Sequence, residues 1–151
     1  MLRLSPNTVA IVKGTAPIFR TRGVEIARRT YQRLMSDDRA AAVFDITVFN
    51  QPERSLWFAA LMAETIENID NPEAFAHAAE RMSERHLADG ITSAHYMWLA
   101  QVWPAAVRDV LGLGASEPMI EAWDETFWYL ASLLVEKQDE LRYARTLRKV
   151  A

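Results

Sequence analysis

The sequence predicts an all-α protein, and three observations carry that expectation. Apolar residues recur every three or four positions along most of the chain, which lays a continuous stripe along one side of a helix. Prolines stand where helices begin. Ser5-Pro6, Gln51-Pro52 and Asn71-Pro72 each put Pro at a first helical position, where its missing N–H is no loss, and Glu117-Pro118 follows Ser116. No stretch alternates apolar and polar residues for long; Ile46-Thr47-Val48-Phe49 is the one strand-like segment, too short and isolated to pair.

Taken in order, Val9, Val12, Ala16 and Phe19 predict a first helix over 5–19, and Val24, Ala27, Tyr31 and Leu34 a second over 22–36. A short helical turn near 38–43 and a loop through 44–50 follow. Phe58, Met62, Thr65, Ile66 and Ile69 predict a helix over 52–70, and Phe75, Ala79, Met82 and His86 one over 72–88, ended by Gly90. Tyr96, Leu99, Trp103 and Val107 predict a helix over 93–111, in which Pro104 removes one backbone donor and favours a bend. Trp123, Phe127, Leu130, Leu134 and Gln138 mark the last helix, over 117–148, whose final cations Arg142, Arg145, Arg148 and Lys149 complement its dipole.

Composition bounds the rest. The chain has 151 residues, 50% hydrophobic and 25% charged, with no repeat or low-complexity tract, so a single domain over 1–151 is expected. A chain of this length buries roughly 70% of the surface it exposes when unfolded, and folds without disulfides or a structural metal. It contains no cysteine, which excludes thiol catalysis, cysteine-ligated zinc and iron–sulfur clusters and makes a reducing cytoplasm the expected location. The opening MLRLSPNTVAIVKG carries Lys13 inside its apolar stretch and runs into periodic sequence, unlike an export signal or a membrane span. A formal net charge of −3 gives no overall basic field, so neither nucleic acid nor membrane is an expected partner.

The histidines differ in position. His77 shares a face with Arg81 and Glu84 and reads as solvated; His95, beside Tyr96 near a helix start, reads as structural. His86 instead lies on an apolar stripe, four residues after Met82. A lone histidine on such a face is more often a satisfied core residue than a ligand, and the local pattern leaves both readings open. Tyr31, Phe44 and Phe58 add to it a wide apolar slot with an imidazole on one side and a phenol on the other. That slot suits a flat, mostly apolar cofactor with one axial bond to iron, whereas tetrahedral zinc is disfavoured because no second and third ligand accompany His86.

A resemblance runs through Thr8-Val9-Ala10-Ile11-Val12-Lys13, Tyr31-Gln32-Arg33-Leu34-Met35, Val43-Phe44, Glu67-Asn68-Ile69-Asp70-Asn71, Arg85-His86 and Glu121-Ala122-Trp123. In these motifs, and in six main helices with a short helical turn after the second, the sequence resembles the bacterial single-domain globins and the globin domain of flavohemoglobins. Each motif alone is weakly specific. Their spacing from Phe44 through Asn68-Ile69 and His86 to Tyr96 agrees without gaps, with one residue missing between Tyr31 and Phe44. The resemblance implies a globin fold around heme b, with His86 as the proximal iron ligand, Phe44 as an aromatic wedge on the porphyrin, Tyr31 as a distal donor to O2, and Tyr96 supporting His86. Met82 and Arg85, on the helix of His86, are expected against the cofactor.

Three positions depart from the flavohemoglobin pattern. Where that family offers a distal glutamine, this chain has Arg54, whose strongly hydrated tip is expected to reach for a heme propionate or solvent while its stem lines the entrance. One turn along, Phe58 replaces the usual leucine and is expected to crowd the open side of the iron. On the last helix the family's glutamate, which accepts the proximal N–H, is matched by Gln138. Its amide oxygen is expected to accept the same bond without charge, giving a weaker electronic push.

The expected function is therefore reversible binding of O2, NO or CO by a heme globin, as a monomer or weak homodimer. A dioxygenase converting NO to nitrate is the alternative. The length leaves no room for a flavin or nicotinamide domain after residue 148, and no GxGxxG is present, so that reading requires a separate flavin reductase. A gas or redox sensor that keeps the fold and signals to a partner is the third reading.

Overall fold

Caps set where the helices start. α1 (Pro6–Gly14) opens behind Ser5, whose Oγ accepts from the Thr8 N–H at 3.1 Å. α3 (Asp38–Val43) opens behind Asp37, which accepts from the Arg39 and Ala40 amides. α5 (Pro72–Ala88) opens behind Asn71, whose Oδ1 accepts from the Ala74 N–H at 3.2 Å. The remaining helices are α2 (Ala16–Ser36), α4 (Pro52–Asn68), α6 (Ser93–Leu111) and α7 (Glu117–Val150), with a 3-10 turn at Gly112–Gly114. This computed structural model describes residues 3–44 and 52–150, and among them there is no strand. Ile46–Phe49 and most of the predicted 44–50 loop lie outside the described residues.

One expected boundary is wrong. There is no break between 19 and 22: α2 runs unbroken from Ala16, and the chain turns at Thr15 instead. Pro17 in the first turn of α2 signals that start, but the apolar spacing continues across the turn and hides it. Thr15 holds the corner from both sides. Its hydroxyl donates to the Val12 carbonyl at 2.6 Å and accepts from the Trp123 indole N–H at 3.0 Å, so a residue of α7 fixes the α1–α2 turn. α6 passes through Pro104 as one helix.

The core forms where α2 packs on α4 and α6 while α5 lies along α7. Trp103 and Trp123, both fully buried, meet at 5.4 Å between ring centres, with Phe19 4.8 Å from Trp123. An indole of about 200 Å² contributes roughly 5 kcal/mol by burial, so this cluster anchors α2, α6 and α7 together. Arg29 and Arg33 of α2 converge on Asp109 of α6 at 2.7 and 2.5 Å, tying the same pair at the surface. Packing on these contacts leaves a gap between α4 and the α5–α6 corner. No described helix is long and apolar enough to cross a membrane.

Candidate cofactor pocket

The gap is an apolar cavity of about 160 Å³. Tyr31, Arg54, Phe58, Met82, Arg85, His86 and Tyr96 line it together with Leu99 and with Phe127, Leu130 and Leu134 of α7. Seven of the residues expected at a cofactor thus share one cavity. Phe44 and Gln138 do not line it.

Local geometry aims His86. α5 ends at Asp89, and Gly90 at φ +75° takes the left-handed conformation that closes the helix, letting the Ile91 N–H donate to the His86 carbonyl at 2.9 Å. That turn hands the chain to α6, whose Tyr96 hydroxyl lies 2.8 Å from His86 Nδ1. Nε2 is left as the ring nitrogen available to a ligand. Burial pushes the imidazole down to about 4; Asp89 opposes the shift, and Arg54, Arg85 and His95 add to it. At neutral pH the ring is uncharged, with a lone pair to give.

The expectation for Gln138 is corrected. It does not meet the histidine: its Nε2 donates to the Tyr96 hydroxyl at 3.0 Å and to the Ile91 carbonyl at 3.2 Å. A carbonyl can only accept, so the Ile91 contact turns the amide nitrogen toward Tyr96 and makes Gln138 a donor to that phenol. The array is a relay from Gln138 through Tyr96 to His86. When Nε2 coordinates a metal, Nδ1 carries the proton, and the Tyr96 oxygen accepts from both neighbours. Burial holds the Tyr96 phenol well above its ordinary range, so it keeps its own proton.

Phe44 is fully buried with its ring at 83° and 4.8 Å from His95, behind the cavity wall rather than on it. His95, read as structural, lines the cavity and is held at its ring: Nδ1 accepts from the Thr92 N–H at 2.9 Å, and the ring bonds the Val43 backbone. It thereby ties the end of α3 to the start of α6. His77 is exposed, as expected.

In the same cavity, burial pushes the Tyr31 hydroxyl up to about 12, against the opposing Arg54 charge, so it remains a proton donor. Phe58 meets the Tyr31 ring edge-on at 6.0 Å. Arg54 does not extend to solvent. It is buried, with Nη1 3.3 Å from Asp89 Oδ2 and its guanidinium 4.9 Å from the Trp57 ring centre; Arg85 flanks the same ring at 5.7 Å. The mouth thus carries two cations held on one indole, placed for the acidic substituents of a flat ligand. Sequence reasoning missed Trp57 and Asp89. The i,i+3 spacing of Arg54 and Trp57, and an acid at a helix C-terminus where the dipole disfavours it, were the available signals.

These features fit heme: an apolar slot, one uncharged imidazole with a free Nε2, and arginines at the rim. Among the described residues no group of three or more His, Asp or Glu side chains is placed to hold a metal ion.

An all-α fold in this helix order, opening an apolar slot bordered by His86 beside its fourth helix, defines the class. The globin family model matches residues 55–134, just over half of the chain, and the chain belongs to the globin family, which implies heme binding. Its relatives include the flavohemoprotein of Xylella fastidiosa strain Temecula1, 32% identical over 91% of this chain and 35% of that protein. The flavohemoprotein of Bordetella pertussis is 30% identical over 96% and 36%. The chain therefore spans about a third of the length of the curated relatives it matches. Among solved structures, an engineered carbene transferase made from a candidate nitric oxide dioxygenase of Rhodothermus marinus aligns with a TM-score of 0.81 at 28% identity, covering 95% of this chain and 99% of that one. A bacterial globin from Campylobacter jejuni aligns at 0.77 and 18% identity, over 91% and 99%, a likeness of fold alone.

The depressed His86 pKa has a measurable sign. In the heme-free chain the folded state protonates His86 only near pH 4, the unfolded state near 6.5, so between these values the unfolded state binds more protons. His86's share of stability is complete above about pH 6.5, falls as pH drops through that window, and levels off below about 4, a loss of about 3 kcal/mol. Urea unfolding of the heme-free chain at several pH values, compared with His86→Gln, reads it: the stability of the wild type relative to the variant must fall on acidification.

Proposed function

We propose that this protein is a heme b globin that reversibly binds O2, NO or CO, with iron held by His86 Nε2. The observation carrying the proposal is the imidazole: uncharged, engaged at Nδ1 by Tyr96, and bordering an apolar cavity with its other nitrogen free. Heme bound there supplies an iron with one open coordination position. The chain's own residues do the rest. Leu99, Phe127, Leu130 and Leu134 would keep water from a bound heme, Arg54 and Arg85 would pair with its propionates, and the Tyr31 hydroxyl would donate a hydrogen bond to the gas ligand while Phe58 narrows the space around it. Absorption spectra of the ferric, ferrous and ferrous-CO forms test the cofactor and its axial ligand together; a chain that takes up no heme on reconstitution rejects the proposal.

A second reading, NO dioxygenation with electrons from a separate flavin reductase, is favoured by flavohemoproteins among the relatives. The Gln138 relay weighs against it, because a neutral donor to Tyr96 withdraws electron density from the phenol that His86 leans on. Gln138→Glu reverses that bond, so the variant is expected to raise the iron–histidine stretching frequency in resonance Raman spectra and to lower the reduction potential. Unchanged values would show that Tyr96 transmits nothing. Steady-state NO consumption with a supplied reductase distinguishes an enzyme from a single stoichiometric oxidation.

A further inference from the structure

Arg54 and Asp89 each carry the charge that their own helix end disfavours. Arg54 is the third residue of α4, where the helix dipole is positive, and Asp89 caps the end of α5, where it is negative. Neither placement helps its helix, yet the two side chains meet at the cavity mouth, Nη1 to Oδ2 at 3.3 Å. Arg54 is only 9% exposed, and a cation so far from water needs a partner. Asp89 is held in place by its backbone: its N–H donates to the Arg85 carbonyl at 3.0 Å, and Gly90 beyond it turns the chain at φ +75°. Among the described residues its carboxylate ion-pairs with Arg54 alone. The same guanidinium lies 4.9 Å from the Trp57 ring centre.

We infer that Asp89 is a positioning residue: it holds Arg54 ready to receive a carboxylate of the flat ligand, and so makes the pocket prefer a porphyrin with free acid groups. This rests on the heme reading above. An arginine side chain has many rotamers and loses that freedom when it binds; held between an indole and a carboxylate, Arg54 is ordered before the ligand arrives. A guanidinium carries five N–H donors in a planar fork and can serve two carboxylates at once, so Asp89 need not be displaced. Asp89 stands three residues after His86, at the end of the same helix. The turn that aims the imidazole therefore also sets the anchor of Arg54, and ties the α4 side of the slot to the α5 side.

Transfer of the cofactor from the loaded full chain to excess heme-free myoglobin tests it, run with hemin and with hemin dimethyl ester, which keeps the iron and the ring but has no acid groups. Asp89→Ala should speed hemin loss roughly threefold to tenfold and leave loss of the ester within about twofold of wild type. Asp89→Glu should restore most of the difference, and on an Arg54→Gln background Asp89→Ala should add nothing. Removing an acid from a helix C-terminus stabilises the helix, so a merely structural role predicts hemin held as well or better. In the heme-free chain the Arg54 Nε–H proton, identified by its absence in Arg54→Gln, should exchange with water at least about threefold faster in Asp89→Ala. Equal exchange, unchanged hemin loss, or equal acceleration for hemin and ester overturns the inference and leaves the heme reading standing. Slower hemin loss overturns it in favour of an Asp89 that competes with the ligand for Arg54. A chain that takes up neither hemin nor the ester rejects the heme reading and this inference with it.

Discussion

His86→Ala should strip the protein of its heme spectrum. The variant keeps the apolar walls, so porphyrin affinity does not vanish, but the axial bond is gone and no other imidazole replaces it. His95 lines the same cavity, yet its ring is engaged by the Thr92 and Val43 backbones and is not free to turn toward iron. Purified His86→Ala is expected to retain less than about a tenth of the wild-type Soret absorbance per protein, a loss of at least 1.4 kcal/mol in heme affinity. Free imidazole, which fits the space left by the side chain, should restore a histidine-type spectrum. An undiminished Soret band in the variant would place the iron ligand elsewhere.

Tyr31→Phe is expected to accelerate O2 dissociation roughly tenfold to 100-fold while CO affinity changes little. O2 as a ligand carries partial negative charge and takes a charge-assisted hydrogen bond of about 1–3 kcal/mol; CO carries little charge and takes almost none. Tyr31 can donate that bond because its hydroxyl, pushed up to about 12, holds its proton throughout the physiological range. The substitution preserves the ring, and with it the edge contact to Phe58, so packing is nearly conserved. Stopped-flow displacement of O2 and flash photolysis of the CO form read the two ligands separately. Equal effects on both would show that the hydroxyl does not face the iron.

Much of this is legible in the sequence. The cap residues Ser5 and Asn71, each followed by a proline, act within three residues of themselves, so these helix starts are local facts. The stripe that carries Tyr31, Phe58, Met82 and His86 follows from the 3.6-residue period alone, and it put these residues on faces that the fold then turned toward one another. The missed boundary at Thr15 has a non-local cause: the threonine is held by Trp123, more than a hundred residues away. The same holds at the pocket mouth, where Arg54 is taken from solvent by Asp89, a partner 35 residues along the chain.

The sequence by itself determined the all-α class and the lack of any thiol, and it set His86 apart as the histidine on an apolar stripe. Each of these is a property of residue type, period or spacing. Only the tertiary structure decided the direction of the hydrogen bonds behind that histidine. Gln138 and His86 are 52 positions apart, and whether a glutamine amide offers its oxygen or its nitrogen depends on what else its two ends meet. Here the Ile91 carbonyl claims the nitrogen side, so Gln138 reaches the imidazole through Tyr96 and as a donor. A side chain with two opposite ends takes its chemical role from its neighbours, and neighbours across a fold are not written in sequence spacing.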